Sequence, residues 1–151
     1  MKLRIEIDPD CDEEIVIKAQ GVTDKIRRLQ ETIDREMKRS EEIAMRKDGK
    51  ECYLLYSDLL FFETDGNRVT AHTADECFVV PLRLNELEML IPRTFARASK
   101  SCIVNTAYIK SISRSPTGVS TAAFAKSDKI VLISRMYYKI VREIIEETRL
   151  K

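Results

Sequence analysis

The chain is expected to fold as a mainly β protein of the α+β class, with helices flanking short strands and an N-terminal β-hairpin and amphipathic helix ahead of them. Three observations predict this: alternating apolar runs punctuated by Asp48-Gly49 and Gly66-Asn67, a helical stripe of Ile26, Leu29, Ile33 and Met37, and a second helical face after Ser134. At the front, Leu3, Ile5 and Ile7 alternate with charged neighbours. Asp8-Pro9-Asp10 supplies a turn and Ile15-Val16-Ile17 returns, which reads as a hairpin. Thr23 or Asp24 can cap the helix that follows. The simpler use of its stripe is packing on the domain's own sheet. The alternative is a dimer-forming seam, although under three heptads is short for a coiled coil.

Beyond Ser40 the texture changes to short β segments. Strands are expected over residues 43–46 and 51–55 around Asp48-Gly49, a hairpin signal. Another pair, 59–63 and 68–73, flanks Asp65-Gly66-Asn67, and residues 76–81 add a further strand. A short helix over 84–90 stops before Pro92. Strands resume at 109–114, cross Ser115-Pro116-Thr117-Gly118, return over 119–124, turn through 126–129 and end in the apolar run Ile130 to Ile133. Met136, Tyr137, Ile140, Val141, Ile144 and Ile145 then form a helical face able to close one side of the sheet, with Ser134 as N-cap.

Composition narrows the function. The 151 residues are 44% apolar and 34% charged, with a net charge of +1, ordinary for one globular domain with an appendage. The net value hides an asymmetry. Residues 1–91 hold 14 Lys/Arg against 21 Asp/Glu, and residues 92–151 hold 12 against 4. A basic C-terminal part suits a polyanion. No run approaches the ~20 apolar residues of a membrane span, and the start has no apolar signal core, so the expectation is a cytoplasmic protein with no membrane partner. Cys11, Cys52, Cys77 and Cys102 form no C-x-x-C pair, which fits reduced, mostly buried thiols and predicts no metal or cofactor. His72 lies in the alternating run 68–73 with no nucleophile partner evident, and the carboxylate pairs Glu13-Glu14 and Glu41-Glu42 read as solvated surface. With only four glycines and no Gly-rich loop, neither an enzyme nor a small-molecule site is expected.

The richest stretch is Phe95-Ala-Arg-Ala-Ser-Lys-Ser-Cys-Ile-Val-Asn105. Phe95, Cys102 and Val104 can anchor it while Arg97, Ser99, Lys100 and Ser101 present donors to phosphate. Further on, Ile130-Val-Leu-Ile-Ser-Arg135 ends a strand with a guanidinium at the junction, where it can reach a base edge. Asn105 reads as a cap for the following turn. Tyr108, Tyr137 and Tyr138 read as core or rim aromatics.

These two segments, together with Asp58-Leu-Leu-Phe-Phe-Glu63 and the Gly66-Asn67 turn, resemble the LytTR-type DNA-binding domain of bacterial transcriptional regulators, over roughly residues 43–150. The resemblance implies an elongated, mainly antiparallel β domain whose loops enter successive major grooves of repeated promoter DNA. It implies base contacts from Asn67, Lys100 and Arg135, and phosphate contacts from Arg68, Arg97, Ser99, Ser101 and Lys126. Many relatives carry His and then Arg where this chain has Ser99 and Lys100. Residues 1–39 are too few for a receiver domain, so a stand-alone regulator is expected, its N-terminal extension either packing on the reader or pairing two copies. The competing expectations are a protein-interaction module with a non-specific basic surface and, third, an RNA-binding β domain. The latter would expose aromatics where Phe61, Phe62 and Phe124 look buried.

Overall fold

The structure, a computed structural model, describes residues 1–12, 14–39 and 41–149; Glu13 of the Glu13-Glu14 pair and Leu150, the expected end of the domain, lie outside them. Two compact units are formed, Met1–Arg35 and Glu36–Lys151. In the first, helix α1 (Asp24–Arg39) begins as its sequence indicates. Thr23 is the cap: its hydroxyl accepts from the Ile26 N–H at 3.3 Å. The expected hairpin is a correction. The Asp8 turn forms, with its carboxylate accepting from the Asp10 N–H at 3.0 Å, but no strand is present among the described residues ahead of α1. Leu3 and Ile7 are 92% and 91% exposed. Two strands with nothing to cover their apolar face are marginal in water, so alternation alone does not make a ribbon.

The second unit carries the β structure. Its first strands are β1 (Glu42–Lys47), β2 (Lys50–Leu55), β3 (Phe61–Asp65), β4 (Arg68–His72) and β5 (Cys77–Val80). The short helix α2 (Leu84–Glu88) is followed by β6 (Phe95–Ser99) and β7 (Cys102–Asn105). These strands make one seven-stranded antiparallel sheet in the order β2-β1-β5-β4-β3-β7-β6. Strands β8 (Ile109–Arg114), β9 (Ser120–Phe124) and β10 (Ile130–Ile133) make a second, three-stranded sheet, and α3 (Arg135–Arg149) closes the chain.

The continuous apolar runs now have a reason. Successive strand residues face opposite sides, and the central strands are covered on both. Phe62 and Ile103 enter one core with Met45, Leu59, Phe78 and Leu87 of α2. Their neighbours Phe61, Cys102 and Val104 enter the other, with Phe124, Val131, Ile133 and Val141 of α3. Each such large apolar side chain contributes about 1.5–3 kcal/mol on burial, so the two cores dominate the stability of this unit.

Asn105 joins them with polar bonds. It is buried, and its amide donates to the Leu59 carbonyl at 2.9 Å while its side-chain oxygen accepts from the Ala107 N–H at 3.2 Å. The capping role read from sequence is present, with a second bond across the sheet. At the same end of the sheet, beside the end of β4, Lys129 of the β9–β10 turn reaches the larger sheet. Its ammonium donates to the carbonyls of Thr73 at 3.0 Å and Glu76 at 3.2 Å and lies 3.3 Å from Nδ1 of His72. His72 stacks on Phe61 with ring centroids 4.2 Å apart and holds Glu63 through Nε2 at 2.7 Å. Burial lowers its pKa from the ordinary 6.5, Glu63 opposes that, and Lys129 lowers it further; the lowering effects win.

Asn105→Ala removes both bonds and leaves the buried Leu59 carbonyl unpaired, while the N–H of the exposed Ala107 turns to water, an expected loss of about 1–3 kcal/mol read as a lower urea midpoint at unchanged slope. The depressed His72 pKa means that the unfolded chain binds the proton first as pH falls. Its contribution is therefore complete above pH 6.5 and is lost progressively below it. Thermal melts between neutral and mildly acidic pH should show a steeper decline for the wild type than for His72→Gln.

Candidate nucleic-acid interface

The residues singled out in the sequence gather at turns, and backbone hydrogen bonds decide which turns meet. Strand β3 pairs with β4 through the two-residue turn Gly66-Asn67, Asp65 facing Arg68. Gly66 takes φ +62 while Asn67 keeps a negative φ, the pattern of a type II′ turn. Asn67 therefore sits at the tip without serving as the left-handed residue, and both it and Arg68 are exposed. Beside this turn, the Thr64 N–H donates to the Ser101 carbonyl at 2.8 Å, which sets the β6–β7 turn and its exposed Lys100 alongside.

Strand β6 carries a bulge between Arg97 and Ser99. A bulge leaves its extra residue outside the ladder. The carbonyl of that residue, Ala98, accepts from the Ser134 N–H at 2.8 Å and so anchors the β10–α3 junction beside the same turn. Arg135 then opens α3, exposed, and its Nε donates to the Thr117 carbonyl at 2.8 Å, with Nη2 directed at the same oxygen. Four turns thus stand in a row: residues 66–67, 100–101, 115–118 and the junction 134–135. Asn67, Arg68, Lys100, Ser101 and Arg135 share one rim.

Three of the expected contacts are placed differently. Arg97 is half-buried and already engaged: Nε donates to the Ser99 carbonyl at 2.9 Å, Nη2 to that of Lys100 at 2.8 Å, and Nη1 lies 3.1 Å from Glu88 at the end of α2. Its guanidinium shapes the turn that presents Lys100. The Ser99 hydroxyl does similar work, accepting from the Ser101 N–H at 3.2 Å. Lys126 is exposed but belongs to the β9–β10 turn, whose Ser127 donates to the Ala74 carbonyl at the His72 end of the sheet. The length of β4, about 13 Å at ~3.3 Å per residue, separates that end from the rim.

Two participants were missed. Arg114 ends β8 beside the 115–118 turn, its guanidinium 4.4 Å from the Tyr138 ring centroid. Thr117 supplies the carbonyl that orients Arg135. The run Arg114-Ser-Pro-Thr-Gly118 repeats the strand-end basic and hydroxyl texture of Arg97 to Ser101, which was the available signal. The thiols also differ from expectation. Cys102 alone is buried, and burial pushes its pKa up to about 12, whereas Cys11 and Cys77 are exposed and Cys52 is intermediate.

A sheet that presents a row of cationic and hydroxyl-bearing turns on one rim is, by class, a reader of phosphate-rich polymers through loops. Helices α2 and α3 are separated by five strands, so among the described residues of the unit no two helices follow one another as a helix-turn-helix requires. Comparison with known proteins makes the class specific. Residues 49–146 match the family model of the LytTr DNA-binding domain. The chain is 31% identical over 144 residues to an uncharacterized HTH-type transcriptional regulator of Staphylococcus aureus strain NCTC 8325 / PS 47, covering 95% of this chain and 97% of that protein. A counterpart in strain MSSA476 is 37% identical over 95 residues, 62% of this chain and 64% of that one. The LytTr DNA-binding domain of a Bacillus cereus protein superposes with a TM-score of 0.64 at 19% identity, covering 70% of this chain and 96% of that domain, a likeness of fold. The chain belongs to the LytTr DNA-binding domain family, and the resemblance read from residues 58–63, 66–67, 95–105 and 133–139 is borne out.

Gly118 has φ +86, and a Cβ there would fall within the Arg135 side chain. Gly118→Ala should therefore cost about 1 kcal/mol of stability and displace the Arg135 guanidinium. The fold persists, and DNA affinity measured by fluorescence anisotropy falls.

Proposed function

We propose that this DNA-binding transcriptional regulator reads double-stranded DNA by sequence, through the turns of the rim rather than through a helix. The observation that carries the reading is the hydrogen-bonded chain Thr64–Ser101, Ala98–Ser134 and Arg135–Thr117, which brings Lys100 and Arg135 side by side from segments far apart in sequence. Arg135 is the principal base contact. Its planar fork suits guanine O6 and N7, a pairing worth about 1–3 kcal/mol of discrimination. Lys100 and Asn67 are the other base contacts. Arg68, Ser101 and Arg114 bind phosphate and set register, while Arg97 and Ser99 act by holding the turn. Lys126 stands apart from this set.

The role is one of binding rather than catalysis, and it places the protein with the chromosome in the cytoplasm. Among the described residues no helix is long and apolar enough to cross a membrane. On promoter repeats two copies gain further, because the second half-site contact becomes effectively intramolecular. Light scattering with and without DNA tests the pairing, and a strict monomer in both removes it.

Anisotropy titrations with DNA from upstream of the protein's own gene and with a scrambled duplex test the reading. Arg135→Ala should abolish the preference for the upstream DNA, by about 1–3 kcal/mol. Arg68→Ala should weaken both complexes alike and reduce the slope of log affinity against log salt by about 1. Equal affinity for both duplexes, indifferent to Arg135, would leave only a non-specific basic surface.

A further inference from the structure

At the end of the sheet opposite the rim, four side chains with no part in DNA binding converge. His72 and Cys77 are directly opposed across the β4–β5 ladder. The Cys77 sulfur lies 3.3 Å from Nδ1 of His72, and Nε2 of the same ring lies 2.7 Å from the Glu63 carboxylate. The Lys129 ammonium, bonded to the Thr73 and Glu76 carbonyls, is 3.3 Å from Nδ1 and 3.9 Å from the sulfur. Because a carboxylate only accepts, the proton of the neutral imidazole sits on Nε2, and Nδ1 keeps one lone pair, toward which both the Cys77 S–H and the Lys129 ammonium are directed. The order thiol, imidazole, carboxylate is that of an activated nucleophile, with an ammonium in place to stabilise the thiolate. Phe61, stacked on the ring, fixes its plane. Cys77 is an exposed residue.

We propose that Cys77 is a peroxide-reactive thiol, activated by His72, Glu63 and Lys129, and that the protein is reversibly modified there. The S–H proton passes to Nδ1 and the thiolate attacks one oxygen of a hydroperoxide. An S–O bond forms as the O–O bond breaks. The sulfur is oxidised by two electrons to sulfenic acid, while the departing oxygen takes the proton from Nδ1 and leaves as water or an alcohol. The other thiols lack this setting. Cys102 is buried, Cys52 is intermediate with its sulfur 4.0 Å from the Lys50 carbonyl, and Cys11 donates to the Asp8 carbonyl in an acidic turn.

The test is dimedone trapping of sulfenic acid on the full chain under limiting hydrogen peroxide, resolved by peptide mass spectrometry. Cys77 should be trapped about tenfold or more faster than Cys11, and His72→Gln should remove most of that advantage while leaving Cys11 unchanged. Since His72→Gln also removes the stack on Phe61, Glu63→Gln serves as the second variant: its carboxylate is partly exposed, and its loss should slow Cys77 severalfold. Equal rates at Cys77 and Cys11 in the wild type would overturn the proposal, as would a Cys77 rate that neither variant changes.

Discussion

The hydrogen bond from the Ser134 N–H to the Ala98 carbonyl, 2.8 Å long, is the constraint on which the functional geometry depends. It exists because the bulge in β6 leaves the Ala98 carbonyl outside its ladder. Through it the end of β10, and with it the start of α3, is pinned to the turn that carries Lys100. It ties Lys100 of the larger sheet and Arg135 at the start of α3, thirty-five residues apart in sequence, to one edge. The apolar side chains of both sheets supply the energy that keeps this edge closed. Ala98, which carries the accepting carbonyl, and Ile133, the residue before the donor Ser134, are fully buried in the same core.

The cations of the basic C-terminal part divide by what they touch. Arg97, Lys129 and Arg149 are engaged with backbone carbonyls: Arg97 holds its own turn, Lys129 links the β9–β10 turn to Thr73 and Glu76, and Arg149 donates to Thr106 at 2.8 Å. Such charge-assisted bonds are stronger than neutral ones, and they use up donors that a charge count would assign to a polyanion. Lys100 projects from its turn into solvent, as Arg68 of the acidic part does from the start of β4, and Arg135 is exposed. Regional charge therefore indicates that a polyanion docks, and the hydrogen-bond partners of each cation indicate where.

The two ends of the sheet are chemically distinct. The rim offers fixed positive charge and hydroxyls, suited to an extended anion. The far end offers a thiol, a carboxylate and an ammonium grouped around one imidazole, suited to proton movement. Strand β4 connects them, with Arg68 at one terminus and His72 at the other.

Much was determined by the sequence alone. Alternation and turn chemistry located eight of the ten strands of the second unit to within a residue or two, because strand periodicity and Gly-containing turns are local properties of the chain; β6 and β7 were read only as one anchored segment. The Asn105 cap was legible for the same reason, and so was the placing of Lys100 and Arg135 at strand ends beside hydroxyls, whereas Asn67 was singled out by the family resemblance. The N-terminal hairpin was not, since Leu3, Ile5 and Ile7 alternate correctly but have nothing to pack on, and burial is a property of the whole fold. Nor could local pattern show that Arg97 turns inward to Ser99, Lys100 and Glu88, or that Lys126 lies at the opposite end from Lys100. His72 looked partnerless because Cys77, five residues on, faces it only once β4 and β5 pair. Tertiary structure decided these points because hydrogen bonds between strands, and not spacing along the chain, determine which side chains meet.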